Sequence, residues 1–522
     1  MNGQSKPRRF RWLKRLLFAV ACLVTLLVLF HAEENWRGER AWAAYREQLL
    51  AKGAQLDWAA FIPPRVPDDQ NFAMTPFLAP LSDLDPTTGR PRETEALKRV
   101  QDFAKSLPPG NLRGRLKGQC IDLVAWRDAI GKPPAPDDEL PEPRTRTAQE
   151  RAEAAPVVLA ALKPYEPVIE ELRSSSRRPY CRFNLNYTAE NPIGIQLPHF
   201  GPLRQIWRVL ALRASAELAL GRTAEAFEDL DMLLRTLGAA GSEFLVGHLV
   251  TLSGLDLATQ VLWEGLVNHH WSDAQLRTLQ TRLEHMDCLA GLHRALEAER
   301  AALGHALLDY LKKQPRELAT LLAMTSESTA GSVSASAFGA LLARLVPRGW
   351  VSLEQLNYNR AFEERLKPIL DLSARRVHPS LAQQCERTSQ EEHARPASVF
   401  WHHRVLRKML LPAVAPIFKK SALGQTNADQ AMIACALERY GVAEGKFPDS
   451  LDALVPRFIA KLPRDVISGG PLKYRRDGGG YVLYSVGWNE TDDGGKIVFT
   501  TRSSTAQDFE KGDWVWQAPA QP

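Results

Sequence analysis

The sequence contains none of the short motifs that commonly mark an enzyme. HExxH, CxxC, GxSxG and SxxK are all absent from its 522 residues. Their absence removes the usual signatures of zinc peptidases, thiol redox proteins and serine hydrolases. The dispersed carboxylates offer no pair that can be assigned as general acid and base. The sequence therefore predicts a protein that is not an enzyme, with an exported hydrolase lacking a recognisable motif as an alternative.

Cysteine is scarce as well. The six cysteines are spread along the chain without metal-binding spacing, so a zinc or iron–sulfur site is not indicated. Cys22 lies within a long apolar run and leaves an odd number for the rest of the chain, where at most two disulfides could form. A chain of this length can bury a core large enough to need none.

Positive charge is in excess only at the N-terminus. The net charge is +6, and six basic residues with no acidic one fall within residues 1–15. Without these six, 60 lysines and arginines remain against 60 aspartates and glutamates. The remainder of the chain is neutral, so the sequence predicts no nucleic-acid partner.

The long hydrophobic run follows this basic stub directly. Residues 16–32 contain no charged side chain, and such a run is at the short end of what spans a hydrocarbon core of ~30 Å. The positive-inside bias predicts a single-pass anchor with a cytoplasmic N-terminus and an exported remainder. A cleaved signal peptide is the alternative, although cleavage after Ala32 would place Phe30 where a small residue is preferred.

Beyond the anchor the hydrophobic pattern is mostly helical. Apolar stripes over residues 203–218 and 227–237 flank Gly221, which predicts an antiparallel helical hairpin. A capping-box pattern from Ser272 to Gln275 predicts the start of a further helix. The hairpin resembles a single tetratricopeptide-type hairpin, and no second copy follows at the 34-residue period. We predict a helical-hairpin array.

Several segments have other patterns. Residues 34–52 are predicted to form a helix ended by Gly53. Residues 61–81 are rich in proline and aromatics, which predicts an ordered segment wrapped on the next domain. Residues 132–146 carry proline and charge with little to bury, which predicts a linker. Residues 181–187 alternate between apolar and polar, which predicts a strand.

The final hundred residues differ in character. Ser450 is positioned to cap a short helix that ends at Pro456. Residues 472–476 and 481–486 flank an Asp-Gly turn and predict a β-hairpin, and residues 496–501 predict another strand. One helix face precedes them, formed by Ile433, Ala436, Leu437 and Tyr440. A helix packed on a small antiparallel sheet is therefore predicted from residue 426 onward, as a module that folds alone.

This module resembles the globular part of G-type pseudopilins of type II secretion. The motifs are ALERYGVAEGKFPDSLDALVP, LPRD, GGPLKYRR, YVLYSVG and DDGG, in that order. The resemblance implies a calcium site before the last strand, with Asn489, Asp492 and Asp493 as oxygen ligands; an exposed acidic turn is the alternative. Two features depart from that family, because no cleavable apolar helix precedes the module and residues 465–470 replace the Asp-Pro-Trp-Gly turn. Assembly into a pseudopilus is not implied.

The whole layout resembles a group of membrane-anchored bacterial envelope proteins, which implies a bacterial inner-membrane location with the bulk of the chain in the periplasm. We predict a mainly α fold with an N-terminal transmembrane helix, a helical-hairpin array and a small C-terminal α+β (pseudopilin-like) domain. The predicted divisions are a basic stub (1–15), the anchor (16–32), a membrane-proximal helix with Pro-rich segment and linker (33–146), a helical domain (147–425) and the α+β domain (426–522).

These features predict a non-enzymatic scaffold or protein-interaction module with an unidentified protein partner in the envelope. An accessory role in a type II secretion or pilus-like assembly is the alternative that the pseudopilin resemblance suggests.

Overall fold

The computed structural model describes residues 9–83, 92–105, 107, 110–130, 144–241, 243–314, 316–318, 346–394, 405–500 and 507–518. The chain is mainly helical, as predicted, with an apolar N-terminal helix. The α-helices are α1 (Arg9–Ala51), α2 (Thr94–Ala104), α3 (Leu123–Ala129), α4 (Ala148–Leu162), α5 (Glu166–Ser175), α6 (Phe200–Ala219), α7 (Thr223–Thr236), α8 (Leu245–Val267), α9 (Asp273–Glu284), α10 (Cys288–Ala301), α11 (Leu308–Lys313), α12 (Arg348–Ala361), α13 (Pro379–Ala394) and α14 (Val405–Glu444). The β-strands are β1 (Leu370–Asp371), β2 (Arg376–Val377), β3 (Lys473–Asp477), β4 (Gly480–Ser485), β5 (Ile497–Phe499), β6 (Gln507–Gly512) and β7 (Trp514–Ala518). Most of the predicted linker, residues 131–143, lies outside the described residues.

Helix α1 is long enough and apolar enough to span a membrane. The large apolar side chains of residues 16–30 are exposed to the surroundings, an arrangement that suits a bilayer and not water. The helix ends as predicted, because Gly53 takes a φ of 80° and the N–H of Ala54 donates to Leu49 O at 3.0 Å. Helix α8 is shorter and less apolar but is also long and apolar enough to span a membrane; 67% of its apolar stretch is buried among the other helices, and we call this packed part of the chain the body.

Helix α1 crosses α12 in backbone contact a short distance beyond the apolar run. Gly38 faces Gly349, and a Cβ atom on either glycine would overlap main-chain atoms of the opposite helix. Asn35 Oδ1 accepts the N–H of Gly349 at 2.9 Å, which satisfies one of the donors left free in the first turn of α12. Glu34 Oε2 accepts the indole N–H of Trp350 at 2.8 Å. We call this contact between α1 and α12 the junction.

The predicted hairpin of α6 and α7 is confirmed. Gly221 takes a φ of 71° in the connecting turn, a value that favours glycine. Helices α2, α4, α7 and α8 pack around α6, and Trp207 at its centre is fully buried with its indole N–H donating to Thr236 Oγ1 at 3.0 Å. The predicted capping box of Ser272 and Gln275 begins α9.

The strand predicted at residues 181–187 does not form. This segment is irregular, and its backbone bonds locally: the N–H of Leu185 donates to Phe183 O at 3.0 Å. A single isolated bridge joins Asn71 of the Pro-rich segment to Tyr180. The alternation in the sequence therefore reflects side chains buried against the helical body and not a place in a sheet.

The C-terminal strands form two small antiparallel sheets, with the orders β3-β4-β7 and β5-β6. The predicted hairpin of β3 and β4 is confirmed, with Asp477 opposite Gly480. The strand predicted at residues 496–501 forms as β5, but it pairs with β6 and not with the hairpin. Helix α14 packs on β4 and β7, and the side-chain amide of Gln430 donates to Trp514 O at 2.7 Å.

The predicted boundary between residues 425 and 426 lies inside α14. This helix packs on α8, α9, α10 and α13 as well as on the sheet, and one cluster of buried apolar side chains extends from the helical body to Leu437 and Trp516. Arg115 also reaches the sheet, where its guanidinium lies 4.6 Å from the Trp516 ring and donates to Asn427 Oδ1 at 3.1 Å. The division into domains stays a prediction, and the packing joins the last hundred residues to the helical body.

Candidate functional site

The predicted calcium ligands share one loop between β4 and β5. Asn489 Nδ2 donates to Asp493 Oδ2 at 2.8 Å, so these two side chains meet. The carboxylate of Asp492 is engaged elsewhere: it accepts the O–H of Tyr484 at 3.1 Å and lies 3.3 Å from Lys473 Nζ. The loop thus brings together two of the three residues and places the third against a lysine.

Asp513, to which no sequence pattern pointed, also belongs to this loop's network. Its buried carboxylate accepts the N–H groups of Asp493 at 3.2 Å and Gly495 at 2.6 Å, and burial raises its pKa. The carboxylate of Asp513 therefore accepts two backbone N–H groups of the loop.

In the part of the chain that the structure describes, no group of three or more His, Cys, Asp or Glu side chains could hold a metal ion. A calcium ion at this loop stays a prediction.

Glu264 of α8 is the centre of a buried polar cluster. One carboxylate oxygen accepts Arg151 Nη2 at 2.7 Å and Ser215 Oγ at 2.6 Å, and the other accepts Gln260 Nε2 at 3.0 Å and the N–H of Ile121 at 2.7 Å. Ser215 is fully buried, so a substrate cannot reach its hydroxyl. This cluster holds the N-terminal segments to α8 and has a structural role.

A second buried charge lies beside two π-helical turns, Ala302–Leu307 and Phe362–Leu366. Arg300 is fully buried, with Nε donating to Asn359 Oδ1 and Nη1 to Glu363 Oε1, each at 2.8 Å. Its guanidinium also lies 4.6 Å from the Phe362 ring. The two widened helical turns thus lie beside this buried arginine and its partners, which have a structural role.

The cysteines are not arranged as nucleophiles. All six are free thiols, and burial raises the pKa of Cys120, Cys181 and Cys288 to about 12. Thiols with such pKa values are protonated near neutral pH and react slowly.

A groove of about 710 Å³ opens between α7, α9 and the turn that follows α5. Its volume lies within the range typical of ligand sites. It carries more positive than negative charge, since its ionic side chains are Arg177, Arg178, Arg235 and Arg282 against Glu228 and Asp231. Apolar side chains also line it, from Phe227, Leu234 and Met286. We call it the arginine groove.

The charges of the arginine groove centre on Asp231. Its carboxylate lies 2.9 Å from Arg282 Nε and 3.1 Å from Arg235 Nη2. Arg178 is engaged outside the groove, because its Nη1 donates to Asn71 O at 2.9 Å. Arg177 is exposed and makes no hydrogen bond or ion pair with the described residues. The two carboxylates of the groove, Glu228 and Asp231, therefore face four guanidinium groups.

A second basic cleft, of about 430 Å³, lies over Trp207. Two of its arginines have partners: Arg113 pairs with Asp256 at 2.6 Å, and Arg208 donates to Gln205 Oε1 at 3.0 Å. Arg204 is exposed at its edge. The arginine groove is the larger of the two recesses, and two of its arginines share one buried carboxylate, which makes it the better candidate for a binding site.

No protein-family model, no curated protein and no solved structure matches the chain.

Proposed function

We propose that this chain is a single-pass, membrane-anchored protein of the bacterial envelope that acts as a non-enzymatic scaffold for a protein partner. The basic stub stays in the cytoplasm, α1 crosses the inner membrane, and the body lies in the periplasm. The observation that carries the proposal is the continuity of α1, which passes without a break from its exposed apolar stretch to the junction.

The junction supports a scaffold role because it fixes the body to the anchor. Gly38 and Gly349 bring two helix backbones into contact, and Trp42 and Leu49 of the same helix are buried against the body further along. A domain on a flexible tether samples many orientations, whereas this body is held in one orientation above the membrane. Its surface features, including the arginine groove, therefore face a constant direction.

An accessory role in a type II secretion or pilus-like assembly is the second candidate. The helix of the C-terminal region lies on an antiparallel sheet, an arrangement that accords with the resemblance to pseudopilin motifs. In this proposal the sheet and its acidic loop contact pseudopilin-like subunits, and purification of the chain together with such subunits would favour it.

Crosslinking in intact membranes tests the scaffold proposal. A tagged full chain and a tagged anchor fragment of residues 1–53 are expressed at equal levels and treated with an amine-reactive crosslinker. We expect discrete protein adducts with the full chain that the anchor fragment lacks, because the body and not the span binds the partner. Identical adduct patterns would contradict the proposal.

A further inference from the structure

The arginine groove contains a charge imbalance that the chain does not correct. Arg235 and Arg282 approach the same carboxylate, that of Asp231, from α7 and α9. Arg177 adds a third guanidinium at the edge without an acidic partner of its own. Like charges held close together cost free energy unless an anion compensates them. An anion bound in this groove would supply that compensation.

Arg235 provides a second, independent observation. Its side chain is only 10% exposed, and its Nη2 lies 3.1 Å from Asp231 Oδ2, whereas its buried Nε has no hydrogen-bond partner within the described part of the chain. Buried donors are nearly always paired in native proteins. Burial lowers the pKa of Arg235, and the nearby Arg282 and Arg177 lower it further against the opposing effects of Asp231 and Glu228. Asp231 thus holds this arginine in place, while the N–H donor at its Nε is unused.

The apolar lining decides between classes of anion. Phe227 and Met286 are half-buried and Leu234 is buried along the groove, so an inorganic anion would leave apolar surface uncovered. The flat surface of a bilayer does not follow a recess between two helices. An extended polypeptide that alternates acidic and apolar side chains fits both features.

We propose that the arginine groove binds an acidic segment of a protein partner, with carboxylates at Arg177, Arg235 and Arg282 and an apolar side chain against Phe227 and Leu234. This inference rests on the proposed scaffold function and names the chemistry of its partner. Arginine suits the role because its planar fork can bind a carboxylate with two parallel hydrogen bonds.

Binding of a labelled synthetic peptide to the purified full chain in neutral detergent micelles tests the proposal. The probe is a short peptide that alternates Glu with Leu, and fluorescence anisotropy reports its affinity. We expect Arg177→Glu to weaken binding about tenfold, equivalent to roughly 1.4 kcal/mol, and Arg282→Gln to weaken it as well. Arg177 is exposed and pairs with nothing described, so its reversal leaves the fold intact, which a melting curve verifies.

Arg277→Glu is the matched control, since it reverses an exposed charge on α9 that does not line the groove. We expect this variant to bind the peptide as the unmodified chain does. The proposal is overturned if the peptide does not bind, or if a Gln–Leu peptide binds equally well. It is also overturned if Arg277→Glu weakens binding as much as Arg177→Glu does, or if only Arg204→Glu in the second cleft weakens binding. Binding to anionic phospholipid vesicles without binding to the peptide overturns it too. Because this assay uses purified protein and a synthetic probe, its failure leaves the scaffold proposal to the crosslinking experiment.

Discussion

Asp429 of α14 is a buried carboxyl group with incomplete compensation. Its Oδ1 accepts Gln425 Nε2 at 3.0 Å and lies 3.7 Å from Arg375 Nη2, whereas its Oδ2 has no hydrogen-bond partner among the residues described. Burial raises its pKa to about 7; Arg375 and Gln425 oppose the shift, and the charges of Asp287 and Asp465 add to it. The neutral form is therefore favoured in the folded protein below about pH 7.

This shift predicts a pH dependence of stability. Because the pKa of Asp429 is higher in the folded state than in the unfolded one, its stabilising contribution is fully present below about pH 4 and is lost as the pH rises through about 7. Asp429→Asn keeps the neutral form at every pH. We expect the variant to gain stability over the unmodified chain as the pH rises from 5 to 8, by a few kcal/mol at most. Melting curves across this range measure the difference, and a difference that does not change with pH would contradict the account.

Single residues were predictable from the sequence where their partners are close along the chain. Gly53, Ser272 and Ser450 each act on a neighbouring backbone group within a few positions, so their capping roles follow from local rules and are confirmed. Asp513 bonds to a loop about 20 residues earlier in the chain. Arg177 and Arg282 meet in one groove although about a hundred residues separate them. No sequence pattern signals partners at such separations.

Among the elements, the junction of α1 and α12 gives a sharp prediction. Gly349 is the second residue of α12 and touches the backbone of α1. Gly201 is likewise the second residue of α6, but a methyl group added there would meet no atom within 4 Å. Gly349→Ala should cost about 1–3 kcal/mol, because the two helices must move apart. Gly201→Ala should be neutral or slightly stabilising. Thermal melting of both variants in micelles measures the effect, and equal melting temperatures would show that the junction tolerates separation.

The loop between β4 and β5 carries the calcium prediction that the pseudopilin resemblance implies. Three side-chain oxygens are fewer than calcium requires, so backbone carbonyls and water would complete the shell, with a dissociation constant of about 10⁻⁴ to 10⁻³ M. At a hundredfold excess over that constant the ion would add about 2.7 kcal/mol of stability. The full chain should then melt at a higher temperature in calcium than in chelator. Asp492→Ala combined with Asp493→Ala should abolish the difference, and identical melting of the unmodified chain in both buffers would mean that the loop is only a turn.

Elements were predictable where the hydrophobic period was long and regular. The stripes of α6 and α7 persist over several turns, and both helices form. The alternation at residues 181–187 is equally regular but too short to specify a partner strand, and the helical body buries these side chains instead. Strands β6 and β7 were not predicted. Their pairing with β5 and β4 depends on a chain reversal that the local pattern does not encode.

In the whole molecule, α14 packs both on the helices of the body and on the C-terminal sheet. Ile433 and Leu437 are fully buried, and Arg439 donates to Asp273 and Gln280 of α9 at 2.9 and 3.0 Å. The sequence predicts that residues 426–522 fold alone, but this packing leads us to expect the opposite. A fragment of these residues would expose the face of α14 that contacts α8, α9 and α10, at a size where burial is already marginal.

Circular dichroism of that fragment measures the outcome. We expect a mostly disordered spectrum without a cooperative melt, whereas the full chain melts cooperatively. A folded fragment with a sharp transition would show that the C-terminal region is an independent domain despite its shared helix.

Protease accessibility measures whether α1 holds the body on the outer side of the membrane, as we propose. The full chain with a C-terminal tag is expressed in bacteria, and spheroplasts are treated with protease before and after lysis. We expect intact spheroplasts to lose the tag and nearly the whole chain, while a cytoplasmic control protein survives until lysis. Protection of the C-terminal region in intact spheroplasts would contradict the account, because the body would then lie in the cytoplasm.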